Sequence, residues 1–309
     1  MRSKIMKMIV PDHYPRFRCI AERCHHNCCI GWVIDIDDGT YARYREIGGV
    51  FGERLRAGID LSSGQPCFRL GEGERCVFLN ERGLCDIIST LGADALCGIC
   101  ADHPRYRHFF SDRTEMGLGL CCEEACRLIL ENSDKVKLIT AEDDGGGEAL
   151  CEEEAEFLAV RDKMLEIIQD RGAPFDARVQ RLMTYCGLHR DPRTPAQWAE
   201  IYRGLERLDG DWDACLDRLA ACDAFSVSGD RDTVWEQLAV YFLLRYTADS
   251  LDDGLLAPRV AFCLHAVSIL RTLCAGTDMA ETCEICRMYS CEIEYSEENV
   301  ESLMDQMML

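Results

Sequence analysis

Twelve of the chain's 21 cysteines fall between Cys19 and Cys126, most of them in tight groups. They read Cys19-x4-Cys24-x3-Cys28-Cys29, then Cys76-x8-Cys85, Cys97-x2-Cys100 and Cys121-Cys122-x3-Cys126. Thiolates two to four residues apart reach one metal centre without straining the backbone, so such groups read as ligands before they read as core filler. A structural zinc needs four ligands and a [4Fe–4S] cluster needs about four. The thiols exceed either need, and two centres are conceivable. All-thiolate ligation favours iron–sulfur, since soft sulfur donors suit such clusters; zinc held by four thiolates is the alternative. His25 and His26 lie inside the first group as further candidate ligands, although loop histidines are more often simply exposed.

Other cysteines read as packing. Cys215, Cys222, Cys263 and Cys274 occupy apolar stripe positions, where cysteine behaves as a small hydrophobe, and Cys151 and Cys186 are isolated. Cys283-x2-Cys286-x4-Cys291 has metal-type spacing, but one pair supplies only half a tetrahedral site. Beside Cys97-x2-Cys100 stand Asp102, His103 and Tyr106, candidate acid–base residues together with His25 and His26, with Pro104 fixing an extended or turn conformation. No glycine-rich strand-to-helix turn of the nucleotide-binding kind is present: Gly48-Gly49-x2-Gly52 follows an expected helix. Cys24-x3-Cys28 begins the Cys-x3-Cys-x2-Cys pattern of radical S-adenosylmethionine enzymes, but Cys29 follows directly and position 31 is Gly31.

The elements that must hold these residues divide the chain. Residues 1–140 are rich in Cys, Gly and short polar turns. Within them Trp32 to Asp37 alternates like a short strand and Thr40 to Leu55 is expected to be helical. Residues 141–148, acidic and glycine-rich, read as a linker. Beyond it Phe157, Val160, Met164, Leu165 and Ile168 recur at helical spacing. Thr194-Pro195-Ala196-Gln197 is a helix start with a capping Thr, Pro at the first position and Gln at the third. Trp212 to Cys222 carries an apolar stripe, Trp235 to Tyr246 is apolar nearly all round, Pro258 and Gly276 bracket a further helix, and Ser296 caps a last one. The expected fold is mainly α: an irregular cysteine-rich metal-binding module over 1–140 and an all-α helical domain over 149–309.

With 309 residues the chain can bury a core without crosslinks, so small size does not explain the cysteines. The first ten residues carry Arg2, Lys4 and Lys7 without the apolar run of a secretory signal, and no window approaches the roughly 20 apolar residues of a membrane span. A cytoplasmic protein with reduced thiols is expected. The net charge of −21 is uneven: residues 1–126 hold 16 basic against 18 acidic side chains, and 127–309 hold 18 against 37. That acidity argues against a nucleic-acid partner, whose phosphates demand Lys and Arg.

These residues resemble a known family. Phe17-Arg-Cys19, Cys24, Cys28-Cys29-x2-Trp32, Cys76-x8-Cys85 and Leu96-Cys97-x2-Cys100-x3-Pro104-Arg105 are similar to the flagellin lysine-N-methylase (FliB) family, within a wider group of cysteine-cluster proteins with a zinc- or iron-chelating domain. The stretch Leu120 to Arg127 looks like a family segment in which Cys122 is the family position and Cys121 and Cys126 are extra. Tyr241 to Tyr246 and Tyr289 to Asn299 resemble further family segments. The resemblance implies methyl transfer from S-adenosylmethionine to lysines of flagellin or a similar surface protein, with an iron–sulfur cluster. The implied metal candidates are Cys19, Cys24, Cys28, Cys29, Cys76, Cys85, Cys97, Cys100 and Cys122. An open iron of the cluster is one place where the cosubstrate could bind. A cysteine-cluster metal protein without methylating activity, or an iron–sulfur oxidoreductase, are the competing expectations.

Overall fold

The computed structural model of the chain describes residues 7–208, 210–226 and 231–308. Arg2 and Lys4, the basic residues of the chain start, lie outside the described residues. The chain packs into two compact units, one formed by Arg18–Arg105 and the other by Met1–Phe17 together with Tyr106–Leu309.

The first unit contains helices α1 (Asp38–Glu46), α2 (Gly49–Ala57), α3 (Asp86–Leu91) and α4 (Gly98–Asp102), and a two-residue ladder of Ile59–Asp60 against Cys67–Phe68. Much of the remainder is turns, as its glycines and cysteines foretell. Its core is small, built on Ile34, Ile36, Tyr44, Leu55, Phe68 and Phe78. The alternation read at 32–37 is real: Ile34 and Ile36 point inward, Val33 and Asp35 outward. Pairing there stays brief, with Ile36 N–H donating to the Pro66 carbonyl at 2.7 Å and Phe68 N–H to the Ile34 carbonyl at 3.0 Å. The single helix expected over Thr40 to Leu55 is two. Gly49 sits at φ +73°, and a side chain at Gly52 would place its Cβ 1.9 Å from the Ile47 carbonyl oxygen, so the chain turns sharply between α1 and α2.

The second unit joins a four-stranded sheet to helices. Strands β1 (Lys7–Pro11), β2 (Arg105–Phe109), β3 (Arg113–Leu118) and β4 (Leu138–Glu142) lie in the order β2-β3-β1-β4, with β1 parallel to β3 and antiparallel to β4. Helices α5 (Glu123–Leu130), α6 (Glu152–Ile168), α7 (Phe175–Tyr185), α8 (Pro195–Arg203), α9 (Trp212–Ala220), α10 (Asp232–Tyr246), α11 (Ser250–Asp253), α12 (Leu256–Leu273), α13 (Met279–Tyr289) and α14 (Glu297–Met307) follow. The start read at Thr194 is the one observed: its hydroxyl accepts from Gln197 N–H while the Gln197 side chain accepts from Thr194 N–H. The helices α10 and α12 are buried on nearly every side and form the centre of the unit. By length and composition α12 could cross a membrane, but 67% of it is buried inside this unit, as a core helix is.

The sequence-derived partition therefore shifts. Residues 106–140 pack with the helices and not with the cysteine-rich unit, because β1 recruits β3 and β4 from far along the chain. The segment 141–148 is not a bare linker. It begins inside β4, Gly147 lies so close to Asp112 that a Cβ would stand 2.5 Å from its carbonyl oxygen, and Glu148 N–H donates to the Ser111 carbonyl at 3.0 Å. Its glycines permit that docking.

Buried charges are paired throughout this unit. Arg161 meets Glu115 through two bonds of 2.6 and 2.7 Å, both side chains almost inaccessible. Glu236 accepts from Arg171 and Arg178. Glu294, on a π-helical turn at Ser290–Glu294, accepts from the hydroxyls of Tyr241 and Tyr246 and from Arg245.

Candidate metal centre

The cysteine-rich unit is wired locally so that three separated segments meet. Asn27, just before Cys28-Cys29, donates its side-chain amide to the Gly83 carbonyl at 3.1 Å and accepts from Cys29 N–H at 3.0 Å. This ties the first cysteine pair to the turn that leads into Cys85. The Cys29 carbonyl then accepts from Cys76 N–H at 2.9 Å. Cys85 begins α3, whose first residue, Asp86, is held by Arg54 at 2.7 Å and Asn80 at 2.9 Å. Asp37 caps two helices at once: one carboxylate oxygen accepts from Thr40 N–H in α1 at 2.8 Å and the other from Gly98 N–H at the start of α4 at 2.9 Å. The Gly98 amide, first among several such bonds, keeps that carboxyl below its ordinary range. Tyr44 donates to the Ala95 carbonyl at 2.6 Å and holds the approach to Cys97.

Six thiols of this unit influence one another's ionisation: Cys28, Cys29, Cys76, Cys85, Cys97 and Cys100. Cys29 feels the charges of Cys28, Cys76 and Cys100; Cys76 feels Cys85 and Cys97; Cys85 feels Cys28. The neighbouring Cys29 thiol lowers Cys28 from 9.0 to about 7, and Cys100 does the same to Cys97. The other member of each pair is pushed up correspondingly. Near neutral pH each pair therefore offers a thiolate, the form that ligates metal. None of the 21 cysteines is joined in a disulfide here. Among the described residues, no three His, Cys, Asp or Glu side chains stand in a metal-holding arrangement. The donor set has the softness and number a thiolate-ligated centre needs, while its side chains do not converge three at a time on one point.

The other sequence-derived candidates fall elsewhere. Cys19 is exposed and Cys24 half-buried, its thiol donating to the His26 carbonyl at 3.1 Å. Cys122 belongs to the second unit, where it precedes α5. Beside it the Cys121 thiol lies 3.1 Å from the Tyr295 hydroxyl, and burial pushes its pKa up strongly. Asp102 and His103 close α4, next to Cys100, and the His103–Pro104 peptide is cis. Burial, reinforced by Arg105, lowers His103 from 6.5 to about 4, so its ring is neutral at physiological pH. Tyr106 belongs to the second unit. Burial raises its phenol well above the ordinary value, it packs against Tyr241, and the Arg245 guanidinium lies over its ring at 5.1 Å. A phenol so held stays protonated. Sequence reasoning missed Asn27 and Asp37. The Asp37-x2-Thr40 spacing marks a helix cap, but its second bond, to Gly98, is visible only in three dimensions.

Comparison with known proteins places this wiring in context. The chain is similar to the lysine-N-methylases. It is 28% identical over 134 residues to proteins named lysine-N-methylase from Salmonella typhimurium and Salmonella choleraesuis, covering 41% of this chain and 33% of each of those proteins. Over the same length it is 28% identical to the flagellar biosynthetic protein FliU of Salmonella muenchen, covering 79% of that protein. The likeness read from the cysteine pattern is thus found independently, although the match spans only about a third of the curated methylases. No family model matches the chain, and no solved structure matches it.

Proposed function

We propose that this chain is a protein-lysine N-methyltransferase acting on flagellin or a similar surface protein, with S-adenosylmethionine as methyl donor. The observation that carries the proposal is the similarity to lysine-N-methylases and to a flagellar biosynthetic protein, joined to the six-thiol set. A [4Fe–4S] cluster is the centre proposed for that set, with four of Cys28, Cys29, Cys76, Cys85, Cys97 and Cys100 as ligands; bound there, it would supply Lewis-acid or electron-transfer chemistry.

Methyl transfer itself forms a nitrogen–carbon bond as the sulfonium–carbon bond breaks and S-adenosylhomocysteine leaves. The lysine amine is nucleophilic only when neutral, so its proton must first be removed. A neutral His103 is in the form that accepts a proton, and Asp102 stands beside it. The raised phenol of Tyr106 suits it to this role less than His103. A base of such low pKa works only if the lysine is desolvated as well, since burial lowers an amine's pKa.

The test is direct. Protein purified without oxygen is incubated with purified flagellin and methyl-labelled S-adenosylmethionine, and label on lysine is measured. Label above a boiled control supports the proposal, and its absence with iron-loaded protein refutes it. Iron and sulfide analysis separates the cluster from the zinc alternative: a colourless protein with stoichiometric zinc would remove the iron–sulfur component.

A further inference from the structure

The Cys283-x2-Cys286 pair, whose spacing supplies half a tetrahedral metal site, does not find its other half: among the described residues no three His, Cys, Asp or Glu side chains stand in a metal-holding arrangement. Each of the two finds a single partner instead. Helix α5 packs against α13, and there the Cys126 thiol donates to the Cys283 carbonyl at 3.3 Å, which brings the two side chains within reach of one another. Cys286 has its own neighbour in Cys274, the residue that closes α12. A metal asks for about four converging ligands, whereas a disulfide asks for two side chains that face one another.

Access separates the two pairs. Cys274 and Cys286 are both fully buried, so a dissolved oxidant reaches neither. In the other pair Cys126 is fully buried while Cys283 is only half-buried, which leaves one member open in part to water and the other behind it. Ionisation runs the same way. The neighbouring Cys126 thiol first, and Arg127 after it, lower Cys283 against the opposition of burial, Glu131 and Glu284, whereas burial first of all raises Cys126. The thiolate is the reactive form, so the outer sulfur is the one that meets an oxidant and the inner one is placed to resolve the product. Redox-sensing cysteines have this arrangement, an accessible sulfur of lowered pKa beside a resolving cysteine.

We propose that Cys283 is a site of oxidation by hydroperoxides and that Cys126 is its resolving partner, the two closing a disulfide between α13 and α5. In the first step the Cys283 thiolate attacks a peroxide oxygen. A sulfur–oxygen bond forms, the oxygen–oxygen bond breaks, and the leaving hydroxide takes up the proton that the thiol had released. In the second step the Cys126 sulfur attacks the resulting sulfenic acid. A sulfur–sulfur bond forms, the sulfur–oxygen bond breaks, and the departing hydroxide leaves as water with the Cys126 proton. The two thiols give up two electrons and one hydroperoxide accepts them; with hydrogen peroxide the products are one disulfide and two waters. Neither step depends on methyl transfer or on the six thiols of the first unit.

The experiment treats the anaerobically purified full chain with a stoichiometric amount of hydrogen peroxide, quenches it with N-ethylmaleimide, and digests it with trypsin and a glutamyl endopeptidase without reduction. Cleavage after Glu124 and Arg127 parts Cys126 from Cys121 and Cys122, and cleavage after Glu281 and Glu284 parts Cys283 from Cys274 and Cys286. Mass spectrometry should find these two peptides joined, and dithiothreitol should separate them. In Cys126→Ala the sulfenic acid has no resolving thiol, so dimedone should capture roughly tenfold more of Cys283 than in the wild type. A treated wild type in which Cys126 and Cys283 stay free, or are joined to other cysteines, overturns the proposal. So does a folded Cys126→Ala protein whose Cys283 takes no more dimedone than the wild type. The wild-type peptide map decides the matter where the variant fails to fold.

Discussion

At the scale of single residues, what separates the cysteines is their company. The ionisation of Cys28 and Cys100 is shifted by other members of the six, whereas Cys263 and Cys215 are buried in the helical core, doing the work of small apolar side chains. Cys28→Ala and Cys100→Ala should therefore abolish metal binding, measured as iron per chain after anaerobic reconstitution. Cys263→Ala and Cys215→Ala should keep the metal and lose about 1 kcal/mol of stability, the usual scale for a point change. Equal metal in all four proteins would undo the division. Arg161 and Glu115 permit a sharper statement because both are buried. Removing one partner strands the other charge in a poor dielectric, so Glu115→Ala should lower the unfolding free energy by about 3 kcal/mol in urea titrations. Replacing both, as Glu115→Leu with Arg161→Met, should recover most of that loss, since the desolvation cost disappears with the pair. A double variant no better than the single one would contradict this account.

At the scale of elements, the joint made by Asp37 matters most for the candidate centre. One carboxylate caps α1 and also fixes the first turn of α4, the turn that carries Cys97 and Cys100. Loss of a helix cap costs about 1 kcal/mol, up to 2 in the more demanding cases. Here the loss should spread: Asp37→Ala is expected to speed amide exchange at both ends of the bond, in residues 38–41 and in 98–102, and to lower metal occupancy. Faster exchange confined to 38–41 would show that α4 does not depend on Asp37. The same joint illustrates what was legible. The cysteine groups, the Thr194 start and the all-round apolar helix at 235–246 were readable because each is a local pattern whose physics lies within a few residues. The boundary near residue 105 was not. It follows from β1 pairing with strands more than 100 residues away, which no local period announces. Cys122 was misassigned to the cysteine-rich unit for that reason: nearness in sequence to the other groups stood in for nearness in space. The break between α1 and α2 was readable in principle, since Gly48-Gly49 interrupts the helical run, but it is the approach of Gly52 to Ile47 that makes the turn tight.

At the scale of the whole molecule, acid response pits two effects against each other. The chain carries a formal charge of −21, so protonating carboxylates as pH falls should relieve self-repulsion and favour the compact state. That relief arrives late, near the ordinary carboxylate values of about 4. Two buried histidines of the second unit act earlier, and His103 of the first unit, lowered to about 4 by burial, acts with them. His13 is lowered from 6.5 to about 4, by burial first, with Asp12 opposing and Arg16 assisting; His265 is lowered to about 3, by burial first, with Asp191 opposing and Arg193 assisting. Below pH 6.5 the unfolded chain takes up protons at these positions while the folded chain refuses them. The unfolded state thus binds more protons, and stability rises with pH across this window and is lost as pH falls. Each fully withheld proton contributes a slope of about 1.4 kcal/mol per pH unit, so these histidines together should govern the range from about 6 down to about 4.5. Because desolvation and not long-range repulsion is the cause, the slope should survive 1 M salt, where the Debye length is about 3 Å. Urea titrations between pH 7 and 4.5 should show the fall in the wild type, and a shallower one in His13→Gln and His265→Gln. A wild-type stability that holds level or increases on acidification to pH 5 would mean that the charge of the acidic surface, and not its desolvated imidazoles, sets the acid limit of this fold.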